Sequence, residues 1–533
     1  MLALIALLLF SFSQSATSSP TRCGSFALRG SAVNAIVTNT TFYRANDTVA
    51  ITNPFSSIDV NNLPAFCRVE LSITTNTTAN STAHADVWLP ESWNGRFLGF
   101  GNGGFGGGVN VADLGFVAVT EGFAGMSTDT GHLSEAVDGS WAGPHNDNAI
   151  VDWSWRALHL SVVAGKEVVR QYYGKPHHKA YYLGCSTGGR QGLKEAQRFP
   201  DDFDGIVVGS PANWMAHLQP WSIHVSLEIM PVNSSRFIPA ATWAEVIHPE
   251  VLKQCDILDG LADGILNDPR KCSSRPETLA CRPGQNTSTC LNLDQIHAIH
   301  QIFSTYFETN QTFIFNGYYP GGEVGYPQGL VGAVPFPIPQ DYYRFFVIND
   351  TTWTMDLLND TIIRLGDSID PGTMDVIDPD LTAFIGPSRK GKILQYVGWA
   401  DELISVGNSI HFYETVHAFM QANTHLNIDD SYRLFTVPGM THCLGGFGAN
   451  AFGGSGQAAA DMPSSSFDAQ HDILSAMIEW VEKDVAPEIL TAIYWNNNNV
   501  SQGVGFTRPL CKYPQMLVFT GGEPSRATSF RCM

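Results

Sequence analysis

The chain has 533 residues, 44% of them hydrophobic, so it can bury a large core and is no disordered tail. Thirty Lys and Arg face 50 Asp and Glu, a formal net charge of −20 that repels phosphate backbones and argues against a nucleic-acid partner. Only 15% of residues are charged, while 50 Gly and 29 Pro point to many loops.

The first residues read MLALIALLLFSFSQSATSSP. A short apolar run over 2–12 followed by small residues is the pattern of a secretory signal peptide, expected to occupy 1–18. Its one weak element is the absence of Lys or Arg before the run. The run is shorter than the ~20 residues a membrane span needs, and no other segment is apolar enough, so no membrane association is expected. Ten cysteines, an even number, suit an oxidising compartment. Acceptor motifs for N-glycosylation stand at Asn39, Asn46, Asn76, Asn80, Asn233, Asn286, Asn310, Asn349, Asn359 and Asn499. These signals together predict a secreted, extracellular glycoprotein.

Residues 20–90 are rich in Thr and Asn, with short alternating runs that read as strands at a sheet edge. From Arg96 onward, short apolar runs at 96–100, 180–183, 205–208 and 393–397 alternate with amphipathic stretches, the rhythm of a parallel α/β core. Trp155, Leu158, Val162, Val163 and Val169 give 152–173 a helical spacing. The rhythm fails over 212–384, which is rich in Pro, Gly, Trp and Cys and reads as an inserted subdomain. It resumes from 385 to about 485, and a strand-like tail runs to Met533. The expected division is a catalytic domain of 19–211 and 385–533 with an insertion at 212–384.

The strongest local signal is Tyr-Tyr-Leu-Gly-Cys-Ser-Thr-Gly-Gly over 181–189. A short apolar strand enters Gly-x-Ser-x-Gly, and a helix-like stretch over 190–197 follows, the context in which a strained turn lifts the Ser186 hydroxyl above a sheet. A serine hydroxyl is a poor nucleophile at neutral pH and needs a base and an orienter, which follow in this architecture in the order acid, then His. Asp401 lies just past the run ending at Val397, and His442 in a loop past the next strand, both where α/β sites are built. Asp401 also suits a helix N-cap, and Glu402 is the alternative acid. Cys185 precedes Ser186 and Cys443 follows His442; bonded to each other they would tie nucleophile to base. The rival reading makes Cys185 itself the nucleophile. Thr187 N–H supplies one oxyanion donor, and the glycine-rich loop after 96–100 the second, from Gly103 or Gly104. Within the insertion, Asp256, Asp259, Asp263 and Asp268 alternate with glycines, a hard oxygen donor set suited to Ca²⁺ though not spaced as an EF-hand.

The Cys-Ser, Asp and His-Cys set, Cys185-Ser186, Asp401 and His442-Cys443, resembles the tannase/feruloyl esterase family of fungi and bacteria. The resemblance implies an α/β-hydrolase core with a lid inserted between the Ser and Asp strands. In it Ser186 would be the acyl-forming nucleophile, His442 the general acid/base and Asp401 its orienter. It implies a structural Ca²⁺ held by Asp256, Asp259 and Asp263 with the carbonyls of Leu261 and Ile265. It implies the pairs Cys23–Cys67, Cys185–Cys443, Cys255–Cys272, Cys281–Cys290 and Cys511–Cys532. Its members cleave hydroxycinnamoyl esters of plant cell-wall polysaccharide or galloyl esters, so the expected protein is a serine esterase releasing ferulic and related acids from xylan or pectin. The alternatives are a tannase and, further off, a non-catalytic glycan-binding protein. Trp214, Trp221, Tyr318, Tyr319 and Phe345 of the insertion are available to line a phenolic-acid pocket, and none is assigned to it.

Overall fold

The apolar runs become the strands of one mixed sheet. Its nine strands, in chain order, are β1 (Ala35–Tyr43), β2 (Phe66–Asn76), β3 (Ser81–Pro90), β4 (Arg96–Phe100), β5 (Ala124–Thr128), β6 (Lys179–Cys185), β7 (Gly205–Gly209), β8 (Lys392–Gly398) and β9 (Tyr432–Val437). Their spatial order is β1-β2-β3-β5-β4-β6-β7-β8-β9. The first three strands join antiparallel and pair antiparallel with β5; from β5 to β9 every pair is parallel. The computed structural model describes residues 20–30 and 33–533, so the leader expected at 1–18 lies outside the described residues. No helix among them is long and apolar enough to cross a membrane.

Burial explains the two kinds of sequence pattern. Strand β2 alternates buried and half-buried positions along most of its length, as an antiparallel strand with one wetter face does. Strands β7 and β9 are buried throughout, so their sequences lose alternation and run apolar. Side chains still alternate between faces. Phe97, Tyr182, Ile206, Val208 and Ile393 enter one core cluster, with Leu158 and Val162 of helix α1 (Ala157–Tyr173). Leu98, Tyr181, Val207 and Leu394 enter the opposite cluster, with Leu474, Met477 and Trp480 of a C-terminal helix, Ile473–Lys483.

Residues 210–391 connect β7 to β8 and hold a third apolar cluster. Trp221, Trp243, Tyr326 and Tyr342 are among its largest members, and it closes onto Phe105 and Trp153 of the core. Helix α2 (Met215–Ile229) runs through this cluster with nearly every residue buried. Beyond the C-terminal helix, Ile489–Trp495 pairs with Val504–Cys511 and Leu517–Phe519 with Phe530–Cys532.

The five disulfides are those the family resemblance implied: 23–67, 185–443, 255–272, 281–290 and 511–532. No free cysteine remains among the described residues. Of the acceptor asparagines, Asn39, Asn46, Asn80, Asn233, Asn286, Asn310 and Asn359 are exposed, whereas Asn76, Asn349 and Asn499 are half-buried.

Candidate active site

Strand β6 ends at Cys185 and the helix Thr187–Arg198 begins two residues later, leaving Ser186 alone in the turn at φ 62° and ψ −122°. A serine with positive φ is strained by roughly 1–3 kcal/mol and persists only where its surroundings over-determine it. Here they do. Ser186 N–H donates to Gly209 O at 2.9 Å, and its carbonyl accepts from Arg190 N at 3.0 Å and Ala212 N at 3.1 Å. The crowding requires glycine at 188, where a Cβ would stand 2.8 Å from Asn102 O. The Ser186 hydroxyl makes no hydrogen bond to another described residue; catalytic contacts of this kind are often loose without substrate and tighten on binding.

Asp401 and His442 come together from the loops after β8 and β9. His442 Nδ1 lies 2.9 and 3.0 Å from the two Asp401 carboxylate oxygens. Asp401 is 2% exposed, and its Oδ1 also accepts from Leu403 and Ile404 N–H at 2.9 Å. The same carboxylate thus orients His442 and closes the turn at 403–404; it does not cap a helix, because the next helix, Val406–Thr424, takes Ser405 as its N-cap. Glu402, the alternative acid, instead accepts the His442 backbone N–H at 3.0 Å. Burial alone would lower the His442 pKa, but the adjoining Asp401 carboxylate, with Glu402 behind it, holds it above the ordinary imidazole value. Burial and the neighbouring Asp401 charge raise that of Glu402.

Cys185 and Cys443 are bonded, with their Cα atoms 6.0 Å apart across a sequence separation of 258. Cys185 therefore has no thiolate to offer, which removes it as a rival nucleophile.

Ser186, Thr187 and His442 share one cavity of about 470 Å³ with Gly103 and Gly104. Thr187 Oγ1 donates to Gly104 O at 2.8 Å, fastening the glycine loop to the turn. Gly104 sits at φ +55°, where a Cβ would meet Ala136 O at 2.1 Å, so that position admits only glycine. No described residue accepts a hydrogen bond from the backbone N–H of Gly103, Gly104 or Thr187. The arrangement offers a hydroxyl, a carboxylate-held imidazole and backbone donors around one space, which is the equipment of acyl transfer.

The rest of the wall is mostly apolar and was not legible in the sequence. None of Trp214, Trp221, Tyr318, Tyr319 and Phe345 lines it. Trp221 and Tyr318 are core residues of the third cluster, and Trp214 stacks on His217. The wall uses Phe55, Phe105, Phe336 and Ile338 instead, with Met215, Leu218, Gln219 and Ser222 of α2. Those four helix positions follow i, i+3, i+4, i+7 spacing, a stripe the sequence does carry. Phe55 and Phe336 have no comparable local signal, because only long-range folding brings them to the cavity.

The aspartate loop lies elsewhere, bracketed by the Cys255–Cys272 bond. Asp256 accepts from Gly264 N–H at 3.0 Å, Asp259 from Leu261 and Asn267 N–H at 3.2 and 3.1 Å, and Asp263 from Ile265 N–H at 3.2 Å. Asp263 also pairs with Arg508 at 2.8 Å. Burial, then the neighbouring aspartates, pushes the Asp259 carboxyl up to about 6 and raises that of Asp256. One guanidinium against three carboxylates leaves two negative charges unbalanced, and the donors are all oxygen, which is the donor chemistry a hard divalent cation takes. Asp268 turns away to pair with Arg270 at 2.8 Å. Among the described residues the trios whose ligand atoms gather within 4.8 Å are Glu70–His84–Asp86 and His159–Glu195–Asp202; Asp256, Asp259 and Asp263 do not draw together that closely. The first is already closed by Arg68 and Trp88, which donate to Asp86 at 2.7 and 3.0 Å.

A family model described as tannase and feruloyl esterase matches residues 67–330 and 347–533. The chain belongs to the tannase and feruloyl esterase family. Within that family it is 36% identical over 472 residues to a probable feruloyl esterase B-1 of Aspergillus flavus, covering 88% of this chain and 86% of the relative. The crystal structure of feruloyl esterase B from Aspergillus oryzae superimposes with a TM-score of 0.88 at 33% identity, covering 96% of this chain and all of that one. The tannin acyl hydrolase of Aspergillus niger gives 0.75 at 21% identity over 97% of this chain and 94% of its own, a likeness of fold. The architecture is an α/β-hydrolase core carrying a long insertion between β7 and β8.

Proposed function

We propose that this family member is a secreted serine carboxylesterase that releases ferulic and related hydroxycinnamic acids from plant cell-wall polysaccharide. The observation that carries the reading is the His442 imidazole, held by buried Asp401 and sharing one cavity with Ser186 on its strained turn. His442 takes the Ser186 proton as Oγ bonds to the ester carbonyl carbon. The oxyanion is received by Thr187 N–H and the glycine loop at Gly103 and Gly104. The tetrahedral intermediate expels the sugar alcohol, which collects the proton from His442. Water, deprotonated by His442, then attacks the acyl-Ser186 ester; the bond from Oγ to the acyl carbon breaks, Oγ recovers its proton from His442, and the free acid leaves. The names of the relatives favour a feruloyl over a galloyl ester. The deciding experiment compares turnover of methyl ferulate with methyl gallate; preference for gallate would make the protein a tannase.

The charge state of His442 sets the acid limb of activity. Only neutral imidazole can accept the Ser186 proton, so kcat/KM should fall as pH drops through the His442 pKa. Because Asp401 holds that pKa above the ordinary 6.5, the inflection should lie above 6.5. In Asp401→Asn the burial penalty prevails and residual activity should show its inflection at lower pH. An unmoved inflection would dissociate Asp401 from the base.

The reading includes a structural Ca²⁺ on Asp256, Asp259 and Asp263, with the Leu261 and Ile265 carbonyls, where the ion would balance loop charge. Chelation should lower the melting temperature by several degrees, by loss of a ligand that binds only the folded chain, without stopping turnover at low temperature. Immediate inactivation in the cold would give the ion a catalytic role instead. Secretion and glycan attachment at the exposed acceptor asparagines complete the proposal; a mass shift on glycosidase treatment of secreted protein checks both.

A further inference from the structure

The polar side chains in the wall of the active-site cavity are almost all committed to the protein. Ser56 Oγ accepts from Ala112 N–H at 3.2 Å, and Asn102 donates to Gly108 and Thr128 carbonyls at 2.8 and 3.0 Å. Buried Asp113 takes hydrogen bonds from Ser455 Oγ at 2.7 Å, Gly456 N at 3.1 Å and Asn110 Nδ2 at 3.0 Å. Thr187 is bonded to Gly104, and Ser222 Oγ donates to Leu218 O at 2.8 Å. His442 is held by Asp401.

Two side chains remain. One is Ser186, whose hydroxyl is the nucleophile in the reading above. The other is Gln219 on α2. Gln219 as a residue is 2% exposed, and its carboxamide has one contact of hydrogen-bond type, from Nε2 to the sulfur of Met215 at 3.5 Å, a weak acceptor. No donor reaches its Oε1 among the described residues. Its Oε1 is not among the polar atoms sealed away without a partner, so it opens onto the cavity, where a ligand can complete it; covering it with a ligand that offers no donor would cost roughly 1–3 kcal/mol. Around it stand Met215, Leu218, Phe105 and Phe336, which accept a flat aromatic ring but none of its hydroxyls.

We infer that Gln219 is the residue that recognises the phenolic edge of the acyl group, its Oε1 accepting the ring hydroxyl and its Nε2 donating to the oxygen ortho to it. This rests on the esterase reading and narrows its substrate. A 4-hydroxy-3-methoxy ring brings one hydroxyl and one ether oxygen, which a single carboxamide can satisfy. A galloyl ring brings three hydroxyls, of which at least one would be buried without a partner in the apolar wall, so the same residue selects against it.

The test is the preference for methyl ferulate over methyl cinnamate, whose ring has no polar group, in wild type and Gln219→Leu. The ratio of the two kcat/KM values should fall on the order of 10- to 100-fold in the variant, because leucine fills the space and removes both hydrogen bonds. Taking a ratio within one protein cancels any loss of folded enzyme. A variant that loses equally on both esters, or on neither, would overturn the assignment while leaving the esterase standing. Wild-type enzyme that turns over methyl gallate in place of methyl ferulate would remove the reading and this assignment together.

Discussion

Ser186→Ala is expected to fold as the wild type does and to hydrolyse methyl ferulate about 10⁴- to 10⁶-fold more slowly, the range seen when one member of such a triad is removed. The loss corresponds to roughly 5–8 kcal/mol of transition-state stabilisation. Stability should hardly change, because the deleted hydroxyl makes no hydrogen bond within the protein. The bonds that define the turn run through the Ser186 backbone, to Gly209, Arg190 and Ala212, and survive the substitution. Circular dichroism and the melting temperature check the fold, and initial rates check the chemistry. The same variant should escape labelling by a fluorophosphonate that modifies wild type. Full turnover in Ser186→Ala would overturn Ser186 as the nucleophile, and Cys185, locked in a disulfide, could not take its place.

How much of this was legible beforehand depended on how far each signal reaches. The parallel strands announced themselves because burial on both faces forces continuous apolar runs such as 205–208, a property of the segment alone. Ser186 was legible for the same reason: strand, glycines and helix lie together in sequence. Asp401 and His442 are single residues among many of their kind, and became readable through chain order and through the cysteine beside Ser186 and His442. The substrate wall was not legible. An aromatic in the insertion can serve a core or a pocket, and Trp221 and Tyr318 went to the core while Phe336 went to the pocket. Nothing local separates these outcomes, because each is decided by residues distant in sequence. Asp401 serves as His partner and not as helix cap: its Oδ1 accepts the imidazole and the turn N–H groups of Leu403 and Ile404, while the helix that follows, Val406–Thr424, is capped by Ser405.

Joint replacement of Cys185 and Cys443 by alanine should lower activity more than it lowers folded content. The bond closes a loop of 258 residues. In the chain-entropy account, opening a loop of that size costs about 5 kcal/mol of stability, so the double variant should melt well below wild type. Its second effect is local. Cys185 adjoins the proposed nucleophile and Cys443 the proposed base, while Ser186 and His442 follow different strands and share no direct hydrogen bond. Without the bridge, the relation between them depends on the packing of two loops, and a displacement near 1 Å at a catalytic pair can cost on the order of 100-fold in rate. The measurement is kcat at a temperature where near-UV circular dichroism shows the double variant still folded. The Cys511–Cys532 pair, in the tail and away from the cavity, serves as the control: its removal should cost stability with kcat retained. If the Cys185–Cys443 variant behaves like that control, melting early but turning over normally, the bridge is a staple for the fold and the triad is positioned by its loops alone.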